Sequence, residues 1–202
     1  CTSVRHALSA QRMGADLISI DGFECAGHPG EDDVPGLILI PAAAEQITVP
    51  LIASGGFADG RGLVAALALG ADGINMGTRF CATQEACIHP KVKQFYLDQD
   101  ERSTALLYRK FHNTARVAKN SVAEHVLNLS GEPDSTFEHI RPWVSGLRGK
   151  QVLETGDLDA GLISAGQVLG LIHDVPSCDV LIQRIVAEAK TIIQQRLASL
   201  IA

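Results

Sequence analysis

The sequence predicts an α/β protein of the TIM-type (β/α)8 barrel class, present as the C-terminal part of such a barrel and carrying a small helical lobe. Three observations lead there. Gly14-Ala15-Asp16-Leu17-Ile18-Ser19-Ile20-Asp21-Gly22 and Gly70-Ala71-Asp72-Gly73-Ile74-Asn75-Met76-Gly77-Thr78 repeat one pattern: a helix-ending glycine, an Ala-Asp turn, a short apolar strand and a loop of small residues. Val49 to Ala53 supplies another such strand between them. Strands this short and continuously apolar, alternating with helical segments, predict a parallel sheet buried on both faces. Each strand also runs into a polar or glycine-rich loop, on the side where βα barrels keep their active sites. These strands make less than half of a barrel of eight.

The elements follow in order. Ser3 is an N-cap, and Ala7, Leu8 and Met13 form an apolar stripe that Gly14 ends. No strand precedes this first helix, which leads us to expect that the chain is the C-terminal portion of a longer protein. Asp59 caps a helix whose Leu63, Val64, Leu67 and Ala68 face the sheet, and Gly70 ends it. From Thr83 to about Lys150 the composition turns polar and helical with no strand signal; Ser135 and Glu138 have capping-box spacing. Small residues return at Gly161-Leu162-Ile163-Ser164-Ala165-Gly166-Gln167, where Gly166 and Gly170 permit close backbone packing. Ser177 then caps a long helix with an apolar stripe of Leu181, Ile185, Ala189, Ile192 and Leu197. The expected organisation is 1–84 barrel, 85–150 substrate-covering lobe and 151–202 C-terminal helices packing back on the barrel.

Composition narrows the function classes. A chain of 202 residues, 46% hydrophobic, can bury a full core as one or two domains. A net charge of −6 with no basic run argues against nucleic acid. No apolar stretch reaches membrane-spanning length. Five cysteines without a Cys-x-x-Cys pair argue against a disulfide framework or a structural zinc, and no metal site is expected. These traits predict a reduced, cytoplasmic protein.

Chemistry concentrates in three loops. Gly22-Phe23-Glu24-Cys25-Ala26-Gly27-His28-Pro29-Gly30 places a histidine in a glycine-lined turn; Ser54-Gly55-Gly56 and Asn75-Met76-Gly77-Thr78-Arg79-Phe80 end the next two strands. Side-chain-poor loops let backbone N–H groups reach a phosphate, and a histidine beside them is placed for proton transfer. The combination points to a flavin-type site. Plainer readings stand beside it: His28 as a surface histidine, Gly55-Gly56 as a helix-start turn, Cys25 as inert packing rather than a Cys–His nucleophile. His112, His125 and His139 lack metal-ligand spacing and read as solvated. Arg109, Lys110, Arg116 and Lys119 read as an exposed charged face, with the alternative that one of them meets an anionic substrate, and Gln167 as a helix start.

These loops, with Ala53-Ser54-Gly55-Gly56-Phe57-Ala58-Asp59-Gly60-Arg61-Gly62 and Ser164-Ala165-Gly166-Gln167, resemble the nitronate monooxygenases, formerly called 2-nitropropane dioxygenases, over nearly the whole chain. The resemblance implies an FMN-binding βα barrel that oxidises small alkyl nitronates with O2 to a carbonyl compound and nitrite. It implies that His28 is the active-site histidine, and that Gly55, Gly56, Asn75, Met76, Gly77 and Thr78 form the FMN phosphate loops. Asp21, Ala26 and Gly27 complete the implied cofactor set. Asp21 stands where many members have glutamine and Ala26 where they have glycine; Cys25 and Glu31-Asp32-Asp33 also depart from the common pattern. The family's N-terminal barrel strands are expected to be needed as a partner segment, and a homodimer is a further expectation. Two other readings stay open: an FMN-dependent enoyl-[acyl-carrier-protein] reductase using NAD(P)H, and a non-catalytic barrel fragment.

Overall fold

The computed structural model describes residues 1–200. Three parallel strands form the sheet, β1 (Ile18–Asp21), β2 (Leu51–Ser54) and β3 (Gly73–Asn75), in the order β1-β2-β3. Their register sets Ile20 beside Ala53, Asp21 beside Ser54, and Ser54 beside Asn75. The carboxyl ends of all three strands therefore lie level, and their loops emerge side by side.

The helices α1 (Val4–Arg12), α2 (Gly36–Ala44) and α3 (Gly60–Ala68) start and stop where local chemistry dictates. The Ser3 hydroxyl accepts from His6 N–H at 3.3 Å, and the Asp59 carboxylate from Gly62 N–H at 3.1 Å. The internal repeat is structural as well as sequential. Gly14 and Gly70 take φ of +96° and +97°, and in each case the following alanine N–H bonds back to a carbonyl in the last turn, Ala15 to Ala10 and Ala71 to Ala66. Both helices thus end in a Schellman turn, which requires a left-handed residue best supplied by glycine.

Of the expected apolar stripes, that of α1 keeps Ala7 buried and Leu8 half-buried but loses Met13, the C-cap, which is 80% exposed. That of α3 is rotated, with Val64 and Ala66 buried and Leu67 43% exposed. The reason for α3 is that it is packed on two sides, by the sheet and by α9 (Cys178–Thr191). Gly60 lies so close to Ile185, Glu188 and Ala189 that a Cβ there would stand 2.6 Å from Ala189 N. The sheet is also not covered on both faces among the described residues: Ile18 and Ile20 are buried while Ser19 and Asp21 are only partly so.

The segment between the short α4 (Thr78–Cys81), α5 (Pro90–Leu97) and α6 (Ser121–Gly131) corrects the all-helical expectation for the lobe. It holds an antiparallel hairpin, β4 (Thr104–Leu107) with β5 (Ala115–Ala118), paired from Thr104–Ala118 to Leu107–Ala115. All four residues of β5 are buried, so no apolar–polar alternation marks it, and its alanines, like the alanine and leucines of β4, read as helix formers. The lobe has its own core of Leu107, Val117, Val122, Val126 and Ile140. In α7 (Phe137–Ile140) the N-cap is Thr136 rather than Ser135, and the third helical residue, His139, accepts from Thr136 N–H through Nδ1 at 3.2 Å. After α8 (Gly146–Thr155), a 3-10 turn at Gln167–Leu171 leads to α9. The C-terminal stripe holds for Leu181, Ile185 and Ala189 but fails at Leu197, because the chain widens into a π-helix over Ile192–Leu197 and loses the 3.6-residue period.

Candidate active site

The loop after β1 is built around close backbone contacts. At Gly22 a Cβ would stand 2.6 Å from Gly36 Cα. The Glu24 carboxylate accepts from Gly36 N–H at 2.9 and 3.1 Å, anchoring the loop on the start of α2. Glu24 O accepts from Gln167 N–H at 3.0 Å, and Gly166 packs so near that a Cβ would be 2.8 Å from that same carbonyl oxygen. Gly166 N–H in turn donates to Thr78 Oγ1 at 3.0 Å. The Thr78 hydroxyl proton remains available as a donor.

A cavity of about 240 Å³ lies where the three loops meet, lined by Asp21, Ala26, Gly55, Gly56, Asn75, Met76, Gly77 and Thr78. Asn75 Nδ2 donates to Ser54 Oγ at 3.3 Å, tying two loops together. Gly55 and Gly56 take φ of +87° and +83°, and a Cβ on Gly55 would stand 2.9 Å from Cys25 Cβ. A Cβ on Gly77 would meet nothing within 4 Å. Left-handed glycines leave the backbone bare of side chains at the wall of this cavity, a surface whose N–H groups suit an anion.

Gly27 and His28 face a second, larger cavity of about 550 Å³ on the other side of the loop. Its walls are largely apolar, from Ile88, Val117, Val144, Leu153, Leu162 and Ile163, with Tyr96 and Tyr108 among them. Tyr96 is fully buried and donates through its hydroxyl to Ser164 O at 3.0 Å; burial raises its phenol pKa. Burial likewise pushes Tyr108 up to about 12. Every residue expected in the site therefore borders one of the two cavities, and His28, on the larger one, is an exposed side chain. Cys25 is 8% exposed, and burial, then the charge of Asp21, pushes its thiol up to about 11. That favours packing over a Cys–His nucleophile.

The structure corrects Arg116, expected on an exposed charged face. It is 3% exposed and borders the larger cavity. Its guanidinium lies 4.5 Å from the Phe23 ring centre and donates to Phe23 O and Thr104 Oγ1. A lone arginine within Ala115-x-Val117-Ala118 was the overlooked signal, because a charge in an apolar run is either exposed or purposely buried. The acidic stretch also acquires a role. Glu31 accepts from Thr114 N–H at 2.7 Å and from Thr114 Oγ1 at 2.5 Å, and Asp33 pairs with Arg109 at 2.7 Å. These contacts fasten the His28 loop to the hairpin.

A profile of the nitronate monooxygenase family matches residues 1–188. The chain belongs to this family of oxidoreductases. Among curated members it is similar to a (3aS,4S,5R,7aS)-5-hydroxy-7a-methyl-1-oxo-octahydro-1H-indene-4-carboxyl-CoA dehydrogenase of Rhodococcus jostii, 32% identical over 93% of this chain and 62% of that protein. Among solved structures it is similar to FabK from Thermotoga maritima, with a TM-score of 0.91 and 31% identity over 98% of this chain and 61% of that one. A nitroalkane oxidase from Streptomyces ansochromogenes superposes with a TM-score of 0.77 at 28% identity, over 96% of this chain and 58% of that one. The chain thus spans about three fifths of the length of these family members. No helix among the described residues is long and apolar enough to cross a membrane.

Proposed function

We propose that this chain is the larger part of an FMN-dependent oxidoreductase that acts beside the carbonyl of a bulky, apolar acyl-CoA thioester. The observation that carries the reading is the size and lining of the larger cavity, about 550 Å³ and mostly apolar, opening on His28. A small alkyl nitronate would leave most of that volume unfilled, whereas a ring-bearing acyl group would bury its surface there. Similarity to a carboxyl-CoA dehydrogenase supports the same class of substrate.

The cradle of Gly55, Gly56, Gly77 and Thr78 fits the FMN phosphate because it offers backbone N–H groups and one hydroxyl with no side chain in the way. Bound FMN would supply the two-electron redox chemistry. The protein's own residues do the rest. The loop from Phe23 to His28 gives Cys25 and Ala26 to the smaller cavity and Gly27 and His28 to the larger, with Gly27 paired to Arg116 through Gly27 N–H to Arg116 O at 3.0 Å and Arg116 N–H to Gly27 O at 2.6 Å. His28 takes or returns the proton on the carbon next to the carbonyl. The aliphatic walls and Tyr96 exclude water from the acyl group.

A second reading, oxidation of alkyl nitronates by O2 to a carbonyl compound and nitrite, is favoured by the family match and the nitroalkane oxidase neighbour. Titration of the full-length, FMN-loaded protein separates the two through the flavin absorption spectrum. Cyclohexanecarboxyl-CoA should bind at least about tenfold more tightly than propane-2-nitronate. Tight nitronate binding with aerobic nitrite release, and no response to the thioester, would reverse the assignment.

A further inference from the structure

Two arginines are each only 3% exposed, Arg79 and Arg116. Arg79 is neutralised, with Nη2 2.8 Å from Asp174 Oδ1. Arg116 is not: among the described residues no carboxylate lies within ion-pair distance of it. Its acceptors are neutral, Phe23 O at 2.9 Å from Nη2 and 3.3 Å from Nε, and Thr104 Oγ1 at 2.9 Å from Nη1. Those contacts engage three of the five N–H groups of a guanidinium. Glu24 and Asp33 support the charge only from beyond ion-pair distance, and holding a charge out of water with no contacting counter-charge is costly, so the guanidinium is available to an anion in the cavity it borders. The position says which anion. Arg116 borders the larger cavity, and its backbone is bridged to Gly27, the residue directly before His28.

We propose that Arg116 binds the carbonyl oxygen of the acyl thioester and stabilises the enolate formed when His28 removes the neighbouring proton. In this step the Cα–H bond breaks and the proton passes to the imidazole. The C–H electron pair becomes the new C=C bond, and the carbonyl π pair moves onto the oxygen facing Arg116. No oxidant is consumed, so the step can be observed apart from redox turnover. The inference rests on the acyl-thioester reading above. It gives the protein a base and an oxyanion partner held by one backbone bridge at the wall of a largely apolar cavity.

The test is α-proton exchange of cyclohexanecarboxyl-CoA in D2O, followed by mass spectrometry, with the full-length, FMN-loaded protein under anaerobic conditions. Wild type should exchange the proton, and Arg116→Gln should slow exchange about a hundredfold or more. The decisive variant is Thr104→Asp, which keeps Arg116 in place and gives it a carboxylate. A purely structural clamp would be strengthened by that ion pair, whereas an oxyanion site would be neutralised. We expect Thr104→Asp to retain FMN and its melting temperature while exchange falls by a similar factor. If Arg116→Gln does not fold, Thr104→Asp still decides the matter. Exchange at the wild-type rate in either folded variant overturns the role of Arg116. Absence of exchange in wild type overturns the thioester reading itself, and this role with it.

Discussion

At the scale of single residues, the site rests on positions where a side chain would be intolerable or must stay neutral. Gly56 combines φ of +83° with a Cβ position 3.2 Å from Glu24 Cβ. Gly56→Asp adds strain, crowding and a carboxylate facing the phosphate cradle, so the variant should purify colourless, with FMN content reduced at least about tenfold. A variant as yellow as the parent would refute the cradle. His28→Asn keeps the loop backbone and should keep FMN, yet lose α-proton exchange by about a hundredfold or more. Weakened thioester binding of the same size would make His28 an orienting group instead. Cys25, with its thiol pushed up to about 11, stays protonated at pH 8. Iodoacetamide should therefore label the exposed Cys1 and Cys87 well before Cys25; peptide mass spectrometry showing equal rates would count against the buried, neutral thiol.

At the scale of elements, the hairpin is the part that positions the chemistry, and it is the part the sequence concealed. The glycine loops and the repeated Gly-Ala-Asp turns were legible because each rests on local backbone chemistry, a left-handed glycine or a side-chain-free N–H. β4 and β5 were not, since strands buried on all or nearly all residues show no alternation, and the partners of Glu31 and Asp33 lie about eighty residues away in sequence. Those partners make the acidic stretch a fastener. Glu31→Ala should raise amide hydrogen exchange across residues 27–33 while leaving α9 unchanged; unaltered exchange in the loop would remove that role. The fastener also has a pH signature. Thr114, through its hydroxyl and then its N–H, holds the Glu31 carboxyl below its ordinary 4.5. A depressed carboxylate stabilises above the unfolded value and loses that contribution as pH falls through the folded value. Loop protection should thus be constant from pH 7 down to about 5 and fade only below 4.5; fading already at pH 6 would point to another group.

At the scale of the whole molecule, the three-stranded sheet is the feature that sets what these residues can do alone. Helices cover one of its faces, while Ser19 and Asp21 on the other are only partly buried. Both outer strands lack a neighbouring strand among the described residues; on β1, Cys1 alone meets the edge, its O accepting from Asp21 N–H at 2.7 Å and its amino group donating to Ser19 O at 2.7 Å. Beside that edge, Met13 is 80% exposed and Leu17 49%, and on α2 Leu37 and Ile38 are 67% and 58% exposed. Unpaired strand edges next to apolar surface recruit other chains unless something covers them. The parallel α/β sheet was legible from strand spacing and loop placement; whether it belongs to a closed barrel was not, because closure depends on strands beyond the three seen here. We therefore expect residues 1–202, expressed by themselves, to form oligomers or insoluble material without bound FMN, and the full-length protein to be yellow and to melt cooperatively. Size-exclusion chromatography and thermal melting of the two forms side by side provide the check. A monomeric, cooperatively melting, flavin-binding product from residues 1–202 would show that the small sheet needs no additional strands.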